Sequence, residues 1–263
     1  MFVDSHAHFD HLPDPRAVAE VLSRARAAGV GRIVAIGGHA GANAQAADIA
    51  EAEGGLVWAA VGYDRDQAPR DPPVDALRPW LARERVVAVG EIGLDYHYEP
   101  ETRSMQIALF EQMLSLAREF AKPVIMHSRE ADEDTLAILK RHMSAARDGR
   151  GLPGVLHCFT GTAAFAACLL DLGLMIGFSG IITFKNAHAV REVAKTVPED
   201  RLLIETDSPY LAPEPHRGEQ NEPAHVALVA EALAKIRNDT VEHIAHITAR
   251  NAQRLFKPDG PLT

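Results

Sequence analysis

Histidines and carboxylates recur in this sequence directly after short apolar runs, where a strand end would hand them to a common cleft. The first run ends in Asp4-Ser5-His6-Ala7-His8. Side chains two apart on an extended segment share a face, so both imidazoles can reach one ion. Val86-Val87-Ala88-Val89-Gly90 delivers Glu91 straight from an apolar stretch, and an ionised carboxylate there is costly to bury unless a cation or donor meets it. Pro123–Met126 leads to His127, Gly154–Leu156 leads to His157, and the run through Ile204 leads to Glu205 and Asp207, which a strand would place on one face. Any one of these is as well read as a core histidine or a helix-capping acid. Five runs that end alike point to one metal centre. His6, His8, Glu91, His127, His157 and Asp207 are six donors, more than the three or four around a single catalytic zinc. Two divalent ions sharing a bridging carboxylate are therefore expected, with Glu91 as the bridge because it is the one carboxylate expected on the middle strands.

The elements that must position these groups follow from the same runs. Strands are expected at Phe2–Ser5, Arg32–Ile36, Leu56–Gly62, Val86–Gly90, Pro123–Met126, Gly154–Leu156, Leu174–Ser179 and Arg201–Glu205. Between and after them, apolar residues return every three or four positions over Arg16–Ala28, Glu101–Phe120, Glu130–Ala146, Ala187–Thr196, Ala224–Arg237 and Val241–Leu255, which is helical spacing. Strict alternation of strand and helix implies parallel strands with helical crossovers, because parallel neighbours cannot be joined by a tight hairpin. Eight such units close into a (β/α)8 TIM barrel, an α/β fold whose catalytic groups gather at the C-terminal strand ends; a doubly wound open sheet is the alternative.

Composition fits that architecture. At about 150 residues per domain the 263 residues allow two domains or one large barrel, and no linker or low-complexity tract separates two halves. One domain over residues 1–257 with a short tail at 258–263 is expected. With 47% hydrophobic and 24% charged residues the chain is an ordinary globular one. Its net charge of −9 disfavours non-specific clamping on duplex nucleic acid, so an anionic substrate must be met by a local positive site. Two cysteines, Cys158 and Cys168, are too few for a disulfide framework. Neither a signal-peptide pattern nor an apolar stretch of membrane-spanning length is present, so a cytoplasmic protein without membrane attachment or an obligate protein partner is expected.

Seven segments together resemble a known family. They are Val-Asp-Ser-His-Ala-His-Phe-Asp (3–10), Gly-Glu-Ile-Gly-Leu-Asp-Tyr (90–96), Lys-Pro-Val-Ile-Met-His-Ser-Arg (122–129), Val-Leu-His-Cys-Phe-Thr-Gly (155–161), Phe-Ser-Gly-Ile-Ile-Thr-Phe-Lys-Asn (178–186), Glu-Thr-Asp-Ser-Pro-Tyr-Leu (205–211) and Arg-Gly-Glu-Gln-Asn-Glu-Pro (217–223). In this order they are similar to the TatD family of metal-dependent deoxyribonucleases of the amidohydrolase superfamily. The resemblance implies a TIM barrel and phosphodiester hydrolysis, often as a 3′→5′ exonuclease on single-stranded DNA or RNA. It further implies that His6, His8 and Asp207 hold one ion, that His127 and His157 hold the other, and that Glu91 touches both. Glu205, in the matching Glu-Thr-Asp motif, would act on the attacking water or the leaving group. One departure stands out: many members carry a histidine just after the third strand, where this chain has Tyr63-Asp64-Arg65.

Two divalent ions, whether Zn, Mn or Mg, would bring the formal charge sum to about −5 and put positive charge where a scissile phosphate must sit. Asp207 is the expected proton acceptor. Arg129, Lys185, His216 and Arg217 are the expected substrate contacts, since each follows a strand or lies in the long breaker-rich loop Ala212–Gly218. Phe159 and Tyr210 follow two of the ligand motifs and offer faces on which a base could stack, with core packing as the other reading. Cys158 is read as a packed small residue, and His243 and His246 as surface. Two rival functions remain: an amide or ester hydrolase, such as an aminoacyl-tRNA deacylase, because the same ions polarise a carbonyl, and a metal-holding scaffold without turnover.

Overall fold

Each of the eight apolar runs becomes a strand in the computed structural model, which describes residues 1–144 and 152–256. The strands are β1 (Phe2–Ala7), β2 (Val30–Gly38), β3 (Val57–Tyr63), β4 (Val86–Asp95), β5 (Val124–Arg129), β6 (Gly154–Leu156), β7 (Met175–Phe178) and β8 (Leu202–Ile204). They form one sheet in sequence order, and every adjacent pair from β1 to β8 is parallel. Helices α1 (Pro15–Ala27), α2 (Ala40–Ala52), α3 (Arg78–Leu81), α4 (Arg103–Glu119), α5 (Asp132–Ser144), α6 (Ala163–Asp171) and α7 (His188–Thr196) carry the crossovers, and α8 (Val226–Arg237) and α9 (Val241–Phe256) follow the last strand. This is the expected (β/α)8 barrel. No helix among the described residues is long and apolar enough to cross a membrane.

Boundaries depart from expectation where local chemistry overrides the apolar pattern. β4 runs five residues past Gly90, to Asp95, and carries a register irregularity between Val89 and Ile92. The helix expected over Glu130–Ala146 starts at Asp132, and its last two positions, like the expected tail at 258–263, lie outside the described residues. The helix expected from Ala224 starts at Val226, after a 3-10 turn over Pro223–His225.

The apolar residues sort into two layers. One fills the space between strands and helices, with Leu22, Ile33, Phe110, Met113, Phe178 and Leu233 among its members. The other fills the barrel bore with Val3, Val34, Ile36, Trp58, Val87, Ile125, Val155, Met175 and Leu203, to which α9 adds Ala249, Ala252, Leu255 and Phe256. Phe256 sits with its ring centroid 6.4 Å from that of Trp58, so α9 stoppers the end of the bore opposite the C-terminal strand ends. The His, Asp and Glu side chains singled out above gather at the other end.

Candidate metal centre

The barrel seam builds the first half of the site. β8 stops at Ile204, and the ring closes one step further on, through an isolated parallel bridge between Ala7 and Ser208. Asp207 N–H donates to His6 O at 2.9 Å, and His8 N–H donates to Ser208 O at 2.8 Å. Beneath them the buried Asp4 carboxylate accepts from Thr206 N–H at 2.9 Å and from the Thr206 hydroxyl at 2.6 Å. The same backbone bonds that close the sheet thus set His6 and His8 beside Asp207. Alternation along a strand does not place Asp207, contrary to the expectation that it shares a face with Glu205. Its φ of 56°, in the left-handed region, turns its carboxylate toward the imidazoles.

Glu91, from β4 on the far wall, meets both halves. Its Oε2 lies 3.4 Å from His6 Nε2 and 3.7 Å from His8 Nε2. Asp207 Oδ1 lies 3.6 and 3.5 Å from the same two nitrogens. Glu91 Oε1 faces the other way, 3.3 Å from His127 Nδ1 and 2.9 Å from His157 Nε2. His6, His8 and Asp207 form one set of donor atoms within 4.8 Å of one another, and Glu91, His127 and His157 form a second. Most of these gaps are too long for good hydrogen bonds. Two ligands about 2.1 Å from one ion at a tetrahedral angle lie about 3.4 Å apart, so the spacing is that of coordination edges, and the donor set fits divalent ions.

The charge states of Glu91, Asp207 and His6 suit the same purpose, while at His8 and His157 burial is outweighed by the neighbouring carboxylates, which raise the pKa. Burial opposes ionisation of Glu91, but the imidazoles of His157, His127 and His6 outweigh it and hold the carboxyl well below its ordinary range. For Asp207, burial is outweighed by the His8 hydrogen bond and the His6 charge, so its pKa is lowered. His6 is pushed down by burial and by His157, which keeps a ring lone pair free for an ion.

Outer contacts fix the imidazoles. His127 Nε2 lies 3.0 Å from Asp95 Oδ2; with the proton on Nε2, Nδ1 is left as a free donor toward the centre. Asp95 also accepts from the backbone N–H groups of His97 and Tyr98. Reading β4 as ending at Gly90 misses this residue, although Glu91, Gly93 and Asp95 alternate onto one face and Asp95 lies within the Gly-Glu-Ile-Gly-Leu-Asp-Tyr motif. Glu91 is therefore not the lone carboxylate of the middle strands. Glu205 is fully buried behind His157, not at the mouth: it accepts from Ser5 Oγ and from Cys158 N–H and lies 3.6 Å from His157 Nδ1. Gly177 makes room for it, since a Cβ there would stand 2.6 Å from Glu205 Oε2.

The expected substrate contacts ring the centre without entering it. Arg129 ends β5 with its guanidinium 4.8 Å over the Tyr98 ring. Arg217 lies 3.7 Å over the Phe184 ring, and Lys185 beside it is exposed. Among the described residues none of these three cations pairs with a carboxylate. His216 pairs with Glu219 at 2.8 Å and stacks on His225 in a 440 Å³ groove that reaches His8. At the corner after β3, Tyr63 and Asp64 are buried, and Arg65 bonds Asp64 and lies 3.7 Å from Asp95. Phe159 is core, packed on Phe165 and Phe178, whereas Tyr210 is exposed. Cys158 is half-buried, with Sγ 3.2 Å from Ser179 Oγ. His246 is exposed, and His243 is half-buried against Asp239.

A closed parallel barrel with imidazoles and carboxylates gathered at its C-terminal strand ends defines the class of (β/α)8 hydrolases. The family model described as TatD related DNase matches residues 3–257. The chain is 44% identical over 262 residues to the Escherichia coli (strain K12) protein named "Uncharacterized metal-dependent hydrolase YcfH", covering 98% of this chain and 96% of the relative. It is 37% identical over 248 residues to the "3'-5' ssDNA/RNA exonuclease TatD" of Edwardsiella piscicida, covering 91% and 93%. The crystal structure of YJJV, a TatD homolog from Escherichia coli K12, superposes with a TM-score of 0.88 at 33% identity, over 99% of this chain and 98% of that one. The chain belongs to the TatD family and is a metal-dependent hydrolase.

Proposed function

We propose that this hydrolase removes nucleotides from the 3′ end of single-stranded DNA or RNA, with two divalent ions held between β1, β4, β5, β6 and the turn after β8. The observation that carries the two-ion reading is Glu91, whose Oε2 faces His6, His8 and Asp207 while its Oε1 faces His127 and His157. In this reading His6, His8 and Asp207 would hold one ion and His127 and His157 the other, with Glu91 facing both. Zn²⁺, Mn²⁺ or Mg²⁺ bound there supplies charge compensation for phosphoryl oxygens and lowers the pKa of the attacking water.

The protein's own groups do the rest. Asp95 holds the His127 ring through a hydrogen bond, and Glu205, whose carboxylate lies 3.6 Å behind His157 Nδ1, acts on that ring by charge as a positioning residue. Asp207, whose carboxylate lies beside His6 and His8, takes the proton of the attacking water. Arg129, Lys185 and Arg217, without carboxylate partners among the described residues, hold flanking phosphates, and His216 lines the approach past His8. The Edwardsiella relative's name supports the choice of substrate.

Oligonucleotides labelled at either end, incubated with the metal-loaded protein with and without EDTA beside ester and amide substrates, test this reading. The expected result is stepwise loss from the 3′ end that EDTA stops, and at least about a 100-fold loss in Glu91→Gln with unchanged circular dichroism. Intact oligonucleotides beside rapid ester or amide turnover would overturn it.

A further inference from the structure

Two aromatic side chains stand out in water. Among the described residues the exposed large apolar side chains are Met1, Tyr98, Met105 and Tyr210, with Tyr98 65% and Tyr210 61% exposed. Both tyrosines lie on loops that leave C-terminal strand ends, Tyr98 after β4 and Tyr210 after β8. In a ring of eight strands in sequence order, β4 and β8 are diametrically opposed, so the tyrosines flank the centre from opposite sides.

Each is also tied by its main chain to the centre itself. Tyr210 N–H donates to Asp207 O at 2.9 Å, its carbonyl accepts from Asn221 Nδ2 at 2.7 Å, and its ring centroid is 6.0 Å from that of His8. Tyr98 N–H donates to Asp95 Oδ1 at 3.2 Å, and Asp95 holds His127. The Tyr98 ring is oriented by Arg129, whose guanidinium lies over it and whose Nη1 donates to the tyrosine hydroxyl at 3.0 Å. Large rings left in solvent on anchored backbone, one with a cation attached and no acid to neutralise it, are what a nucleic-acid strand meets with its bases and phosphates.

We infer that Tyr98 and Tyr210 are nucleobase-stacking subsites, one on each side of the scissile phosphate, with Arg129 holding the phosphate next to the base on Tyr98. This rests on the nuclease reading above. Because the main chain of each tyrosine is bonded to Asp95 or Asp207, stacking sets the register of the strand against the catalytic groups. It also explains the selection of single strands: two bases splayed to opposite walls cannot at the same time stack on each other and pair with a complement.

The test uses the full-length metal-loaded protein and single-stranded oligonucleotides in three forms: unmodified, with an abasic residue on either side of the terminal linkage, and with 2-aminopurine at those positions beside a hydrolysis-resistant phosphorothioate. Tyr98→Ala and Tyr210→Ala are each expected to raise KM on the unmodified strand about tenfold, with Phe at either position restoring it. Each alanine variant should lose nothing further on the oligonucleotide whose abasic residue matches its side, and should abolish the 2-aminopurine fluorescence change at that position alone. Cleavage by wild type with KM unchanged in both alanine variants, or an equal penalty on normal and abasic strands, overturns the stacking subsites and leaves the nuclease reading standing. Absence of both binding and cleavage of every strand by the wild type overturns the two together.

Discussion

At the scale of single residues, the proposed roles of Asp95 and Glu91 separate holding an ion from holding a ligand. Asp95 reaches the centre only through His127, so Asp95→Asn should leave every donor atom in place while loosening one ring. Metal affinity by chelator competition is expected to fall about 10- to 100-fold, with activity at saturating metal falling less than in Glu91→Gln. Six donors were legible in the sequence because each ends an apolar run. Asp95 was not, because β4 continues through Ile92 and Leu94 past the residue that looks like its end. Glu205 was legible as a site residue but not as one behind His157: the turn between it and Asp207 decides which of the two acids faces the His6 and His8 imidazoles. The buried Asn221, which ties Thr206 O and Tyr210 O together, carries no periodic signal at all.

At the scale of elements, the seam and its neighbour β7 are where small changes should tell most. Gly177→Ala puts a Cβ against the Glu205 carboxylate, and a destabilisation of about 1–3 kcal/mol is expected from the denaturation midpoint, with weakened metal retention as Glu205 shifts. Asp4 offers a pH test. Burial pushes its carboxyl up from 3.8 to about 8 against the Thr206 and His6 donors that pull it down. The folded protein therefore binds this proton more tightly than the unfolded chain, and the group's contribution is lost as pH rises from about 4 to about 8. Urea midpoints should show Asp4→Asn gaining on the wild type across that window and levelling off above it. The strand order was readable from the β-then-α rhythm, and α4 and α9 from their apolar spacing. The crossover α2 was not: alanines occupy its exposed face (Ala40, Ala52) as well as its buried one (Ala42, Ala46, Ala47, Ala50), so residue type does not mark the buried stripe.

At the scale of the whole molecule, a chain of net charge −9 gathers mutually repelling carboxylates at one end of a barrel and needs cations there. Ions that bind the folded form alone stabilise it by about 4 kcal/mol at a thousandfold excess over Kd, so stripping metal should lower the Tm by about 8–16 °C in calorimetry, reversibly on re-addition. The barrel closes where His6 and His8 bond to Asp207 and Ser208, groups some two hundred positions apart in the chain. During synthesis the earliest and the latest strands must therefore meet before any working centre exists. A nascent polypeptide is therefore expected to stay inert on the ribosome until its final strand emerges, and fragments released by premature termination before that strand would lack Asp207, one of the proposed ligands.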